Sequence, residues 1–178
     1  MAKNKISRAQ FLRGDYRGGE VVIRPPWSLL EHDFVEHCTR CGDCLDACPE
    51  KILIAGRGGF PQIDFARGEC SFCQACQRAC SEPVFTSTDQ RPWFYHIEIN
   101  ESCLSKNGVT CVTCAEQCEV EAIHFIPRVG SVPQPQVSAS ACTGCGACYR
   151  PCPVRAIQLQ KSQLISDKQP SQRLETYL

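Results

Sequence analysis

The chain has no surplus of charge of either sign. Its 19 basic and 19 acidic side chains cancel, so no bulk field draws it to nucleic acid. It has no run of 18 apolar residues, as a membrane-spanning helix would need. No apolar stretch of signal-peptide length follows its N-terminal charges, and we expect it to stay in the cytoplasm. Aliphatic side chains are also scarce. Leu, Ile, Val and Phe number 40 of 178 residues, about 22%, close to the level at which a packed core becomes hard to build. No residue set for catalysis stands out either, and we expect no enzyme. The four histidines, His32, His37, His96 and His124, are not spaced as ligands. Trp27 and Trp93 read as packing residues.

What the chain does have is cysteine, 16 in all, in four groups of four with none left over. Cys38, Cys41, Cys44 and Cys48 follow C-x2-C-x2-C-x3-C, with Pro49 next. Cys70, Cys73, Cys76 and Cys80 repeat that spacing, with Ser81 in the proline position. Cys142, Cys145, Cys148 and Cys152 repeat it again before Pro153. Cys103, Cys111, Cys114 and Cys118 differ only in the first step, which is 8 instead of 3.

This run is the bacterial ferredoxin signature for a [4Fe-4S] cubane. Cysteines at i, i+3 and i+6 let a tight loop wrap one cluster, with its N–H groups aimed at the sulfides. Small residues such as Gly42, Ser71, Gly144 and Gly146 help such loops bend. Structural zinc takes two C-x2-C pairs and would leave the regular third cysteine idle. A disulfide scaffold needs an oxidising compartment. The fourth cysteine lies one helical turn further on and serves the other cluster of a pair. Cluster one then takes Cys38, Cys41, Cys44 and Cys80, and cluster two takes Cys70, Cys73, Cys76 and Cys48. Cluster three takes Cys103, Cys111, Cys114 and Cys152, and cluster four takes Cys142, Cys145, Cys148 and Cys118.

The four groups sit in a duplicated frame. Pro61 and Pro133 each stand nine residues before a first cysteine and are followed by Gln. "RPPW" ends at Trp27 and "RPW" at Trp93, ahead of Cys38 and Cys103. Short β-rich runs, Ile52 to Ile54 and Ala122 to Ile126, precede turns at Arg57-Gly58-Gly59 and Arg128-Val129-Gly130. We therefore expect an α+β fold of two ferredoxin-like units, with short hairpins and helices. The expected divisions are an N-terminal arm at 1–37, units at 38–99 and 100–160, and a polar tail at 161–178. Within this frame the long third group is a working site with five extra loop residues and Gly108 for flexibility, because a longer loop costs little entropy.

The chain resembles the NapF family, ferredoxin-type accessory proteins of the periplasmic nitrate reductase system. The resemblance rests on "SRAQFLRG" near the start, "IRPPWS" at 23–28, "HCTRCGDC" at 37–44, "ECSFCQAC" at 69–76, "YRPCPVRAI" at 149–157 and the long-loop third group. It implies action in the cytoplasm on the precursor of the nitrate reductase catalytic subunit, assisting maturation by electron supply or iron-sulfur assembly. A general electron carrier serving another oxidoreductase is the alternative. The start motif keeps one arginine where a twin-arginine signal has two. Residues 1–24 carry six basic and two acidic side chains, so the arm is a candidate docking device, with Phe11 and Leu12 as apolar anchors between Arg8 and Arg13.

Four complete groups predict four [4Fe-4S] clusters, so iron analysis of anaerobically purified protein should give about 16 irons per chain. A vestigial third site would leave three clusters, read as about 12 irons with the Cys103 group open to alkylation.

Overall fold

The computed structural model describes residues 22–161. Arg8, Phe11, Leu12, Arg13 and the tail from residue 162 lie outside the described residues. The elements in chain order are α1 (Glu31–His37), α2 (Asp43–Ala47), β1 (Leu53–Ala55), a 3-10 turn (Arg57–Gly59), β2 (Pro61–Ile63), α3 (Ala75–Arg78), β3 (Tyr95–Ile99), α4 (Thr113–Glu116), β4 (Ile123–Arg128), β5 (Ser131–Val137) and β6 (Ile157–Lys161). It is a small mixed α and β arrangement. The helices are far shorter than the length at which a helix stands alone, so tertiary contacts must hold them. The described strands form three antiparallel pairs: β1 with β2, β4 with β5, and β3 with β6.

The hydrogen bonds of the two halves match in detail. Leu53, five residues past Cys48, pairs with Ile63, and the Asp64 amide donates to the Ile52 carbonyl at 2.8 Å. Ile123, five past Cys118, pairs with Val137, and the Ser138 amide donates to Ala122 at 2.8 Å. On this register Pro61, opposite Ala55, corresponds to Pro135, opposite Phe125. The expected match of Pro61 to Pro133 is two residues off, because "PQPQV" offers the Pro-Gln pair twice and the sheet uses the second.

The outer strands match as well. Ile157, five past Cys152, pairs with Ile99, and the Asn100 amide donates to the Ala156 carbonyl at 2.9 Å. Phe85, five past Cys80, bridges Ser28, and the Leu29 amide donates to Val84 at 2.9 Å. In the first half this pairing is a single bridge; in the second it is the full β3–β6 ribbon. Leu29 lies nine residues before Cys38 but Asn100 only three before Cys103, and the difference is taken up by α1. Trp27 therefore corresponds to Glu98, not to Trp93, and the shared "RP…W" is not a structural repeat. The two indoles do converge as packing residues. Both contact the ring of Phe72, at 6.2 and 5.5 Å between centroids. Each buried indole N–H finds a carbonyl, Gln90 at 2.9 Å for Trp27 and Thr143 at 2.7 Å for Trp93.

Residues 22–37, expected as part of an arm, are packed into the first half. Ile23, Trp27 and Phe34 are buried, and the Ile63 amide donates to the Ile23 carbonyl at 2.8 Å. Arg24 is the fastener. Its guanidinium donates twice to the Glu31 carboxylate, at 2.6 and 2.8 Å, and once to the Pro61 carbonyl at 2.8 Å. The same group lies 5.2 Å from the Phe34 ring centroid and 5.5 Å from that of Phe60. A cation between two rings and a bidentate carboxylate is held by both quadrupole and charge.

With few aliphatic residues available, cysteines themselves complete the core. Cys44, Cys48 and Cys76 pack with Ile52, Leu53, Ile63, Phe65 and Trp93. Cys142 and Cys148 pack with Ile97, Ile123 and Ile157. Phe34 is 0% exposed, while its neighbour Val35 is 37% exposed. Phe34→Ala should cost about 3–5 kcal/mol by leaving a cavity, while Val35→Ala should stay within about 0.5 kcal/mol. Thermal midpoints of the cluster-loaded proteins under anaerobic conditions check both.

Candidate metal centres

Cysteines of different groups come together across the loops. Cys38, Cys41 and Cys44 meet Cys80 around a small pocket, lined also by Phe34, Leu45, Pro61 and Val84. Cys103, Cys111 and Cys114 meet Cys152 around a second, with Ile99, Leu104 and Ile157 in its wall. The other two sets show in the electrostatics. The Cys70 thiol is pushed up to about 12, first by burial, with the sulfurs of Cys76, Cys48 and Cys73 adding to it. Burial likewise raises Cys148, and Cys145, Cys142, Cys114 and Cys118 raise it further. Around both pockets the fourth cysteine comes from another group.

The same physics acts at Cys44 and Cys114. Cys44 is pushed up to about 12 by burial and then by Cys76, Cys80, Cys38 and Cys41. Cys114 is pushed up to about 11 by burial, with Cys103, Cys111 and Cys152 adding to it. Without metal these thiols are protonated at neutral pH, and gathering them gains nothing electrostatically. A soft, strongly positive centre reverses the balance, since thiolate ligation releases the protons. The donor sets are all sulfur, sit against apolar walls and contain no histidine, which fits iron-sulfide clusters.

Backbone conformation marks the loops as cluster wraps. In three groups the residues two and four past the first cysteine are left-handed: Arg40 and Gly42, Phe72 and Gln74, Gly144 and Gly146. Such alternation turns successive N–H groups to one side, forming a concavity for negative charge. Left-handed φ costs an ordinary residue about 1 kcal/mol, and the non-glycine cases are held by contacts. The Phe72 ring is clamped by Trp27 and Trp93, and the Arg40 guanidinium lies 5.1 Å from the Phe60 centroid. In the last group only glycine fits. A Cβ on Gly144 would come within 2.6 Å of the Trp93 indole nitrogen, and one on Gly146 would collide with the Phe65 ring. The expected bend at Ser71 falls instead on Phe72 and Gln74, which no small-residue rule could find.

The fourth cysteines share a second device. Lys51, Glu121 and Arg155, each three residues past one, are left-handed, at φ 53°, 49° and 50°. The following amides of Ala122 and Ala156 donate to the Cys118 and Cys152 sulfurs at 3.2 Å. The Cys80 group has Pro83 at that place, whose ring forbids positive φ, and the chain turns differently there.

The long third loop is a built structure. Ser105 is 1% exposed, and its hydroxyl donates to the Cys111 carbonyl at 2.8 Å while accepting the Cys111 amide at 3.3 Å. The Asn107 side-chain amide donates to the Glu101 and Cys103 carbonyls, both at 2.8 Å. Lys106 reaches the Ile99 carbonyl at 2.7 Å and Glu101 at 2.8 Å, and Gln134 of β5 donates to the Ser105 carbonyl at 2.8 Å. Val112, at the place of Gly42, has φ −126°, so the loop takes another path to the same convergence. Ser105, Asn107 and Lys106 escaped sequence reading, because polar loop residues carry no motif.

No histidine lines either cysteine pocket. His37 Nδ1 donates to the Asp33 carbonyl one turn back at 2.8 Å, and His32 is exposed beside Asp33. His96 lies in β3 and His124 in β4.

Cysteine sets of this kind on a small mixed scaffold define a ferredoxin-type iron-sulfur protein, and comparison with known families agrees. Residues 37–84 match a 4Fe-4S dicluster domain and residues 135–158 a 4Fe-4S binding domain. The chain is 44% identical to the ferredoxin-type protein NapF of Escherichia coli K12 over 155 residues, 87% of this chain and 94% of the relative. It is 44% identical to NapF of Haemophilus influenzae over 169 residues, 89% of this chain and 96% of that one. The methylamine utilization ferredoxin-type protein MauM of Methylobacillus flagellatus is 34% identical over 165 residues, covering 83% and 70% of the two chains. No solved structure matches. The chain belongs to the NapF family of ferredoxin-type proteins and binds multiple [4Fe-4S] clusters. Among the described residues no helix is long and apolar enough to cross a membrane.

Exchange of the fourth cysteine between groups has a direct readout. Cys48→Ser should damage the cluster held by the Cys70 group more than that held by its own group, and Cys118→Ser the cluster of the Cys142 group. Mössbauer spectra of the two variants would show the reverse if each group held its own cube.

Proposed function

We propose that the chain holds four [4Fe-4S] clusters on all sixteen cysteines, ligated in the crossed sets, and that it assists maturation of the periplasmic nitrate reductase catalytic subunit. It would meet that precursor in the cytoplasm, before export. The clusters supply one-electron transfer; the protein supplies the thiolates, the inward N–H groups and a surface for the client. The convergence of each three-cysteine loop on a fourth cysteine from another group carries the cluster reading, and kinship with the NapF proteins supports the client.

Two two-cluster units also follow best from the hydrogen bonding, with one change of boundary. Strand β3 precedes the expected division after residue 99, but its partner is β6. We place the units at 22–90 and 91–161. Client docking then falls to the basic residues ahead of 22, with Arg8, Phe11, Leu12 and Arg13 as its candidates. Four cubanes add about −8 to a neutral chain, so a basic segment beside that body offers a distinct charge to a partner. Electron supply and cluster assembly are both open to this architecture. Similarity to MauM, named for methylamine utilization, favours a second reading in which the same layout serves as a general electron carrier.

An anaerobic pull-down with the leader-bearing precursor of the catalytic subunit tests the first reading. The full chain should retain it, and deletion of residues 1–20 should weaken retention without changing iron content. Added salt should weaken it too. Absence of retention by the full chain would leave the general carrier; equal retention by the truncated chain would remove the docking role.

A further inference from the structure

We infer that electrons cross between the two halves at one place, the contact of the Cys70 loop with the Cys145 loop, so that the four cysteine sets form a line with the Cys38 and Cys103 sets at its ends. The inference rests on the four-cluster reading and adds an order to it.

The contact is a hydrogen bond between the backbones of two ligands. The Cys70 amide donates to the Cys145 carbonyl at 2.8 Å. From one ligand sulfur to the other, the path runs through the covalent bonds of two cysteines and that single hydrogen bond. Electron tunnelling falls off exponentially with separation and is least attenuated through bonds, so the shortest bonded route dominates. Among the described residues no backbone hydrogen bond joins the 38–48 loop to the 103–118 segment.

Several side chains press this contact closed. The Phe65 ring lies against Gly146, with its centroid 6.1 Å from that of Trp93 and 6.5 Å from that of Tyr149. Trp93 donates to the Thr143 carbonyl at 2.7 Å, and Arg91 donates to that of Cys142. These contacts all converge on the fourth-group loop. They give the glycine at 146 a second reason: any side chain there would push the Cys145 loop off Phe65.

Within each half the neighbouring sets also adjoin. Helices α2 and α3 pack together, and Cys44 and Cys76 share one buried cluster. In the second half Cys114 and Cys152 pack against the cluster that holds the buried Cys142 and Cys148. The sequence of sets is therefore Cys38, Cys70, Cys142, Cys103. An electron delivered to one end by an external one-electron carrier oxidises that carrier. It leaves from the other end to reduce a one-electron acceptor, with no bond made and no proton moved.

The test is magnetic coupling between reduced clusters, read by EPR on anaerobic protein. Cys41→Ala with Cys111→Ala removes the end clusters; the remaining middle pair should show a split interaction spectrum. Cys73→Ala with Cys148→Ala leaves only the ends, which should give independent, unsplit signals. An unsplit middle pair or a coupled end pair overturns the order. If the double variants fail to keep their remaining iron, Gly146→Val decides: at wild-type iron content the split features between the halves should fall by half or more, and unchanged features overturn the crossing. Iron counting on the wild type separates the two levels. About 16 irons with an uncoupled middle pair removes the crossing alone, while about 12 removes the four-cluster reading beneath it.

Discussion

The constraint on which the rest depends is the gathering of buried thiols. Burial, and then the neighbouring sulfurs, push the Cys44 and Cys70 thiols up to about 12, and so give the metal-free chain no electrostatic reason to close around them. Bound iron supplies the reason, and each set then joins stretches of chain that lie far apart in sequence. Cys80 closes onto the loop that starts at Cys38, and Cys152 onto the one that starts at Cys103. With helices of one or two turns and strand pairs of two, little else could hold the fold.

The backbone is shaped for that centre, and its side-chain packing follows. Left-handed residues at Arg40, Phe72 and Gln74 are unfavourable in isolation. Phe72 is kept there by two tryptophans and Arg40 by Phe60, so the aromatic core and the cluster loops are one construction. Arg24 extends the same logic outward. It ties the segment before the first cysteine to Phe34, Phe60 and Glu31, and fits α1 over the Cys38 cavity, where Phe34 forms part of the wall.

Cysteine spacing made the iron-sulfur clusters legible in the sequence, because cluster geometry fixes spacing directly. Leu53 and Ile123 also mark their strands. The repeat was legible in outline but not in register. "PQPQV" allows two alignments that only the hydrogen bonds to Ala55 and Phe125 separate. Trp27 and Trp93 looked equivalent because both follow Arg-Pro, yet the strand register sets Trp27 against Glu98, past Trp93 in the chain. Left-handed Phe72 and Gln74 were invisible because nothing in those residue types favours positive φ. The Cys70–Cys145 bond is a tertiary event with no local signal at all. The long third loop sits between these cases. Its extra residues were visible, but not that Ser105 and Asn107 would bind them into a rigid unit.

That loop bears on why the halves are not copies. In the first half α1 separates the outer bridge from the first cysteine; in the second, β3 runs almost directly into Cys103, and the extra length comes after it. Both insertions lie beside an end set and neither touches the Cys70–Cys145 contact. The middle of the molecule, where glycine at 144 and 146 admits Trp93 and Phe65, tolerates no added atoms. In the proposed order, the differences between the halves therefore fall at the two end sets, while the join at Cys70 and Cys145 is set by packing. A duplicated scaffold can in this way present two different faces and still conduct through one fixed centre.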